Sequence, residues 1–298
     1  MDLPDHCWTD ALMTILFGLL TAMSNALAVT MQHIASTRKR EPLSSWGLVG
    51  HLFRQPLWLL GWVALTGSLV FQAVALHFGP LSLVQPLLVF ELVIALLLRR
   101  YWIHQSIRGV TWLAALMTSA GLAIFLLAAA PSGARLVPTN SEWRGPVVAS
   151  VGAAVIMVAL AQRGSPGWRA GLFASATAVL WALEATFIKA ASDTLTTFGV
   201  SGALVRWPVY ALVIGGIAGL LCEQAALHVG PLKVSQLFIV IVDPLVSIGL
   251  GVWLYGERTR GGALHIGLAT AALVVMCVGV VVLTRTAPAT VTADVHRL

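Results

Sequence analysis

The segment ALHFGPLSLVQ at 75–85 returns as ALHVGPLKVSQ at 226–236, and each copy is preceded by a second related stretch. LFGLLTAMSNALAVTMQHIAS from Leu16 and LFASATAVLWALEATFIKAAS from Leu172 are identical at 9 of 21 positions. The offsets of 151 and 156 residues keep the order of the elements and differ only by a short change in loop length. A chain that contains one unit twice must fold as two related halves, and in an apolar chain such duplication is a transporter signature.

The chain is apolar enough for that reading. Hydrophobic residues make up 58% and charged residues 10% of its 298, and mean hydropathy is +0.88; a soluble domain carries about 25% charge. Apolar runs of bilayer-spanning length can be drawn at 11–35, 56–78, 80–98, 109–130, 146–162, 170–191, 205–228, 231–255 and 263–284. The expected fold is an all-α polytopic membrane protein of about nine transmembrane helices, in two inverted repeats joined by a lone helix. A head at 1–10 precedes the first repeat at 11–130. A linker at 131–167 holds the lone span at 146–162, the second repeat covers 168–285, and a tail follows at 286–298. The stretch Glu41 to Gln55, with Pro42, His51 and Arg54, is too polar to span and reads as a loop or interfacial helix.

A net charge of +6 invites a nucleic-acid reading, but the basic residues sit in the loops. With the amino terminus outside, 12 of the 18 Lys and Arg residues fall on the cytoplasmic side. This is the positive-inside bias, which sets orientation and names no partner beyond the bilayer. The head carries Asp2, Asp5 and Asp10 and no basic residue, unlike a secretory leader. The expected topology is therefore multi-pass, with the amino terminus outside and the carboxy terminus cytoplasmic. Arg outnumbers Lys 15 to 3 in a chain rich in Ala, Val and Gly, which points to a GC-rich bacterial genome and the plasma membrane.

Spans 1 to 4 correspond to spans 6 to 9. An offset of five spans turns each helix against its counterpart, so the repeats are inverted and can open a midplane site to either side in turn. Polar residues at mid-bilayer depth then mark the path. Glu91 falls in the middle of span 3 and Asp243 in the middle of span 8, one position out of register; Glu184 lies in span 6, and Glu223 in span 7 opposite Gln72. An ionised Asp at a helix centre costs roughly 2.5–3.5 kcal/mol on insertion scales. Each of these groups must face a wet cavity, meet a cation or stay protonated. Asn25, Gln85 and Gln236 join them as candidate pathway residues.

Pro86 and Pro244 each deprive an upstream carbonyl of its helical donor, with Gln85 and Asp243 just before them. They are read as helix breaks of the kind that line transporter sites or simply bend helices. His77 and His228 hold matching places before the two Gly-Pro connections, near opposite membrane faces, where helix-end hydrogen bonding or gating suits them. His33 is the counterpart of Lys189. Lysine near a span end commonly snorkels to the interface, and pairing of Lys189 with Glu184 would need bending, since five residues separate them by about 140° on a helix. These four are secondary or gating candidates.

Cys7, Cys222 and Cys277 form no Cys-x-x-Cys pair and read as filler. The chain has no His-Glu-x-x-His helix, Gly-x-Ser-x-Gly elbow, P-loop or Cys/His ligand set, so no enzyme activity and no cofactor are expected. Whether a metal binds is open. The leading function is secondary transport of a small metabolite, drug-like molecule or cation, with proton-coupled carboxylates. A magnesium or other divalent-cation permease is a variant, since hard cations prefer oxygen ligands, and a non-transporting scaffold is the alternative of another class. The expected partners are a small-molecule or ion substrate and the lipid bilayer, with a homodimer left open.

The Ala-Leu-x-x-Gly-Pro-Leu hairpin, the mid-helix proline and the run Tyr255-Gly256-Glu257-Arg258 resemble the drug/metabolite transporter superfamily of EamA-type repeats. The order Pro56-Leu57-Trp58-x-x-Gly61, Gly67 and Ser82-Leu83-Val84-x-Pro86-Leu87 is similar to the nine-span, NIPA-type magnesium-transporter branch. In the second half, Leu237 stands where the first half has a proline. The resemblance covers about residues 11 to 285 and implies a transport fold without naming one cargo.

Overall fold

A computed structural model describes residues 5–37, 55–102, 107–130, 138–230, 232–258 and 260–286. They form ten helices: α1 (Asp5–Thr37), α2 (Pro56–Phe78), α3 (Leu81–Leu88), α4 (Phe90–Tyr101), α5 (Gly109–Ala129), α6 (Asn140–Leu160), α7 (Pro166–Leu204), α8 (Trp207–Val229), α9 (Leu232–Tyr255) and α10 (Ala263–Thr286). Eight helical stretches are long and apolar enough to cross a membrane, with α3 and α4 together forming one; the apolar part of α6, Arg144–Leu160, is shorter. The protein is an all-α polytopic membrane protein.

Local chemistry explains the boundaries. Pro56 and Pro166 open α2 and α7 at positions where the missing N–H costs nothing, and the Ser165 hydroxyl caps α7. Thr139 and Glu142 form a reciprocal capping box that starts α6 at Asn140, earlier than the span expected from Pro146. Gly79 and Pro80 then separate α2 from α3, because proline cannot continue the hydrogen-bond ladder. Two further boundaries differ from expectation. α1 begins at Asp5, inside the supposed head, and α7 runs on past 191 to Leu204, with Gly199 at φ +70° as its one non-helical residue. Only Gln55 of the stretch from Glu41 lies within the described residues.

The two halves share their packing. α1 lies along α2 as α7 lies along α8, and α1 meets α3 and α4 as α7 meets α9. A Cβ at Gly79 would collide with Thr14, and one at Gly230 would lie 2.5 Å from the Cβ of Ala170; Thr14 and Ala170 are aligned positions in the two sequence copies. Gly79 and Gly230 thus each sit on the start of their own repeat's first helix, so close that only glycine fits.

The last helices of the two repeats, α5 and α10, pack on each other reciprocally. A Cβ at Gly121 would fall 2.6 Å from Met276 N and 2.9 Å from Ala272 O; one at Gly279 would fall 2.7 Å from Thr118 N and 3.0 Å from Ala114 O. Residues 114, 118 and 121 match 272, 276 and 279 at one constant offset, which is the pattern a twofold-related pair of helices makes.

Contacts sort the helix ends into two sets. Gly79, Ala129, Asn140, Lys189, Trp207, Tyr255 and Arg260 belong to one end of the bundle, joined by bonds such as Trp207 Nε1 to Asn140 Oδ1 and Arg260 N to Ala129 O. Thr14, against Gly79, places the start of α1 there as well. Thr111, whose hydroxyl reaches Thr286 O at 3.3 Å, marks the opposite end. The lone helix α6 joins the second repeat, its Trp143 stacking on Phe187 at 5.2 Å and meeting Trp207 edge-on at 5.1 Å.

Candidate functional site

The four carboxylates interact electrostatically two by two, Glu91 with Glu223 and Glu184 with Asp243. Glu91 opens α4 directly after the break at Val89, in the first turn, where unpaired backbone N–H groups favour negative charge. Asn25 of α1 donates from Nδ2 to Glu91 Oε2 at 3.1 Å, and the same amide accepts at Oδ1 from the Ser68 hydroxyl of α2 at 2.8 Å. The Ser68 hydroxyl also lies 2.9 Å from Leu65 O in its own helix, so the Asn25 amide bridges Glu91 and a serine anchored to α2. Glu223 of α8 lies within electrostatic reach of Glu91, so this pair is built by both repeats.

The second pair is Glu184 of α7 with Asp243 of α9, also within electrostatic reach of each other. Ser247 donates to Asp243 Oδ1 at 3.2 Å from the next turn. Glu184 lies against the backbone of α8, where a Cβ at Gly216 would come 2.7 Å from Oε1. All four acids are half-buried.

Among the other expected pathway residues, Gln85 is 2% exposed and its Nε2 has no partner among the described residues. Gln72 is half-buried. Gln236 is exposed and two turns before Asp243, so it does not join the pairs. The prolines behave differently from each other. Pro86 precedes the interruption between α3 and α4, where Val89 N turns to Pro86 O at 3.2 Å, whereas α9 passes through Pro244 as one helix. Pro244 is therefore not a helix break.

The secondary candidates change most. Lys189 does not snorkel: it is 3% exposed, and its Nζ donates to Gly79 O at 2.9 Å and to Leu76 O. It closes the carbonyl end of α2 and leaves Glu184 alone. The lysine is consumed here because α7 continues beyond the expected span end, so residue 189 is inside the bundle and not at its rim. His77 Nδ1 lies 3.0 Å from Asp193 Oδ1. His228 is exposed, and the side chain of His33 lies outside the described residues.

Two acids missing from the sequence reading complete this hairpin. Glu257 accepts from Leu81 N at 2.5 Å, from Ser82 N at 2.9 Å and from the Ser82 hydroxyl at 2.6 Å, capping α3. Its own N–H bonds Gly251 O at 3.1 Å, and a Cβ at Gly251 would fall on its carboxylate. Asp193 lies just past the expected end of span 6. Glu257 stands outside span 8 and is visible in the sequence only through Tyr255-Gly256-Glu257-Arg258. The Tyr255 hydroxyl donates to Thr186 O at 2.6 Å, and Lys189 Nζ lies 5.5 Å from its ring centre.

No family model matches the chain, and no solved structure matches it. An uncharacterized protein of Corynebacterium glutamicum is similar to it, 28% identical over 279 residues that cover 92% of this chain and 96% of that protein. The likeness extends over both halves of the bundle.

Proposed function

We propose that this chain is a secondary transporter of a small metabolite, drug-like molecule or cation, working by alternating access. The observation that carries the reading is the half-buried mid-span carboxylate of Glu91, held by Asn25 of α1, which in turn meets Ser68 of α2, with Glu223 of the other repeat within electrostatic reach. Any motion of one repeat on the other changes the spacing of these two like charges. A positive charge or proton is bound most strongly when they are close, since Coulomb energy in a partly dry interior falls with distance. Asn25 and Ser68 hold the Glu91 side of the pair in place while Glu223 moves with its own repeat. The resemblance of both hairpins to the drug/metabolite transporter superfamily supports the same reading.

A divalent-cation permease is the second reading, favoured by the oxygen-rich set of carboxylates and Gln85. It ranks lower because the described residues hold no group of three or more metal-ligating side chains, whereas a bound calcium or magnesium takes six or more oxygens, some of them waters. Purified protein in proteoliposomes, tested for uptake and efflux of a cargo panel that includes magnesium with and without a pH gradient, tests both. Loss of flux in Glu91→Gln with the protein still folded supports transport. A panel that never moves, with cellular phenotypes unchanged in Glu91→Gln and Asp243→Asn, would point instead to a scaffold.

A further inference from the structure

We infer that Lys189, Asp193 and Glu257 form an inter-repeat latch that holds the Gly79–Pro80 end of the bundle closed and must release for that end to open. The inference rests on the alternating-access reading above. The packing of Gly79 on Thr14 and of Gly230 on Ala170 lies within a repeat and is common to both halves, so it can persist through any relative motion. The latch is different in kind. Lys189, Asp193 and Glu257 all come from the second repeat, and among the described residues the hydrogen bonds their side chains make all go to the first: to the carbonyls of Leu76 and Gly79, the His77 ring, and the amides of Leu81 and Ser82. Ser192 adds a bond to Ala73 O at 3.0 Å.

Chemically, the latch matches charge to helix end twice over. The ammonium of Lys189 meets the carbonyl terminus of α2, and the carboxylate of Glu257 meets the amide terminus of α3, each favourable with the helix dipole. Both sides of one hairpin are thereby gripped through backbone groups, which the hairpin presents in any sequence that keeps Gly-Pro. The grip also carries a built-in tension. Asp193 bonds His77 through Oδ1, while its buried Oδ2 has no hydrogen-bond partner among the described residues. A buried unpaired acceptor is costly, and opening would let water reach it, which lowers the cost of release. The aligned counterparts of Lys189 and Asp193 are His33 and Thr37, so the repeated segment does not encode the same charged grip for the other hairpin.

Accessibility of paired cysteines tests this without knowledge of the cargo. Ala75 and Ala226 are aligned positions beside the two hairpins, and both are fully buried. In a background without the native cysteines, Ala75→Cys and Ala226→Cys are labelled separately with a membrane-impermeant maleimide, applied from each side of proteoliposomes. Adding Lys189→Met should raise labelling of residue 75 by at least about tenfold, the loss expected for a charge-assisted hydrogen bond, from the side bearing Gly79 only. Residue 226 should stay protected, and Lys189→Arg should restore protection of residue 75. Unchanged labelling at 75 in folded Lys189→Met, or an equal rise at 75 and 226, would overturn the latch, the second by showing general loosening. If Lys189→Met is not monodisperse, Glu257→Gln is read by the same pair of positions and decides in its place. Failure of every flux assay leaves these readings intact, so the latch and the transport reading can fail separately.

Discussion

Asn25 shows how a single side chain ties three helices to the chemistry. Its amide donates to Glu91 and accepts from Ser68, so α1 reports the position of α2 to the carboxylate that opens α4. Replacing Glu91 with Gln keeps the shape and removes the charge. Flux should fall by at least about tenfold, as expected when a group acting in the transport step is lost, while expression and melting temperature stay near the parent's. Asn25→Ala should lower flux less, by roughly the threefold to thirtyfold that one lost hydrogen bond to a charged group allows. Equal rates in Glu91→Gln and the parent would assign the carboxylate to structure. Glu91, Asp243, Glu184 and Glu223 were legible in the sequence because a charge in a span needs a reason. Ser68 was not, since a small hydroxyl in an apolar helix looks like packing. Lys189 was misjudged for a physical cause: its burial depends on α7 running past the expected end, and hydropathy falls before the helix does.

Elements differ in how far sequence foretold them. α2 runs over Pro56–Phe78 as expected because Pro and Gly-Pro punctuate both of its ends, but the two span prolines, each following a polar residue inside an apolar run, have different outcomes. Only Pro86 lies by an interruption, and the interruption puts Glu91 at a helix start. Pro86→Ala should therefore lower flux more than Pro244→Ala in the same assay, with both proteins inserted at parental levels; the reverse order would detach the break from function. The α5–α10 contact was invisible beforehand, because nothing in a hydropathy profile says which glycines touch. Gly121 and Gly279 let the two backbones approach to a distance no side chain tolerates. Gly121→Leu should destabilise the protein by about 1–3 kcal/mol through overpacking, read as a lower melting temperature in detergent, whereas Gly152→Leu, where a Cβ meets open space, should not.

For the whole molecule, the ends of the described chain already lie at opposite ends of the bundle, with Thr14 beside Gly79 and Thr286 beside Thr111. On the positive-inside rule, the basic loops predict that the α1 end faces outside. Cysteine labelling from each side should find that end outside and the α10 end in the cytoplasm, and two ends on one face would remove the inverted-repeat mechanism. Under the proposed transport reading, what drives flux depends on how these carboxylates use positive charge. Glu91 shares its pair with Glu223 across the repeats, while Glu184 and Asp243 share theirs within the second repeat. If these pairs carry protons, flux should follow an imposed pH gradient, and Glu91→Gln should lose gradient-driven accumulation while retaining downhill exchange. If they hold a divalent cation, neutralising one acid should weaken cation affinity, and magnesium should protect the pair from carboxyl-modifying reagents. The arrangement favours protons. Among the described residues the four acids form no cluster of three, and Lys189 is already bonded to the Gly79 hairpin, so it neither competes for the acids nor completes a cage. Saturable magnesium flux that ignores the proton gradient would reverse that order.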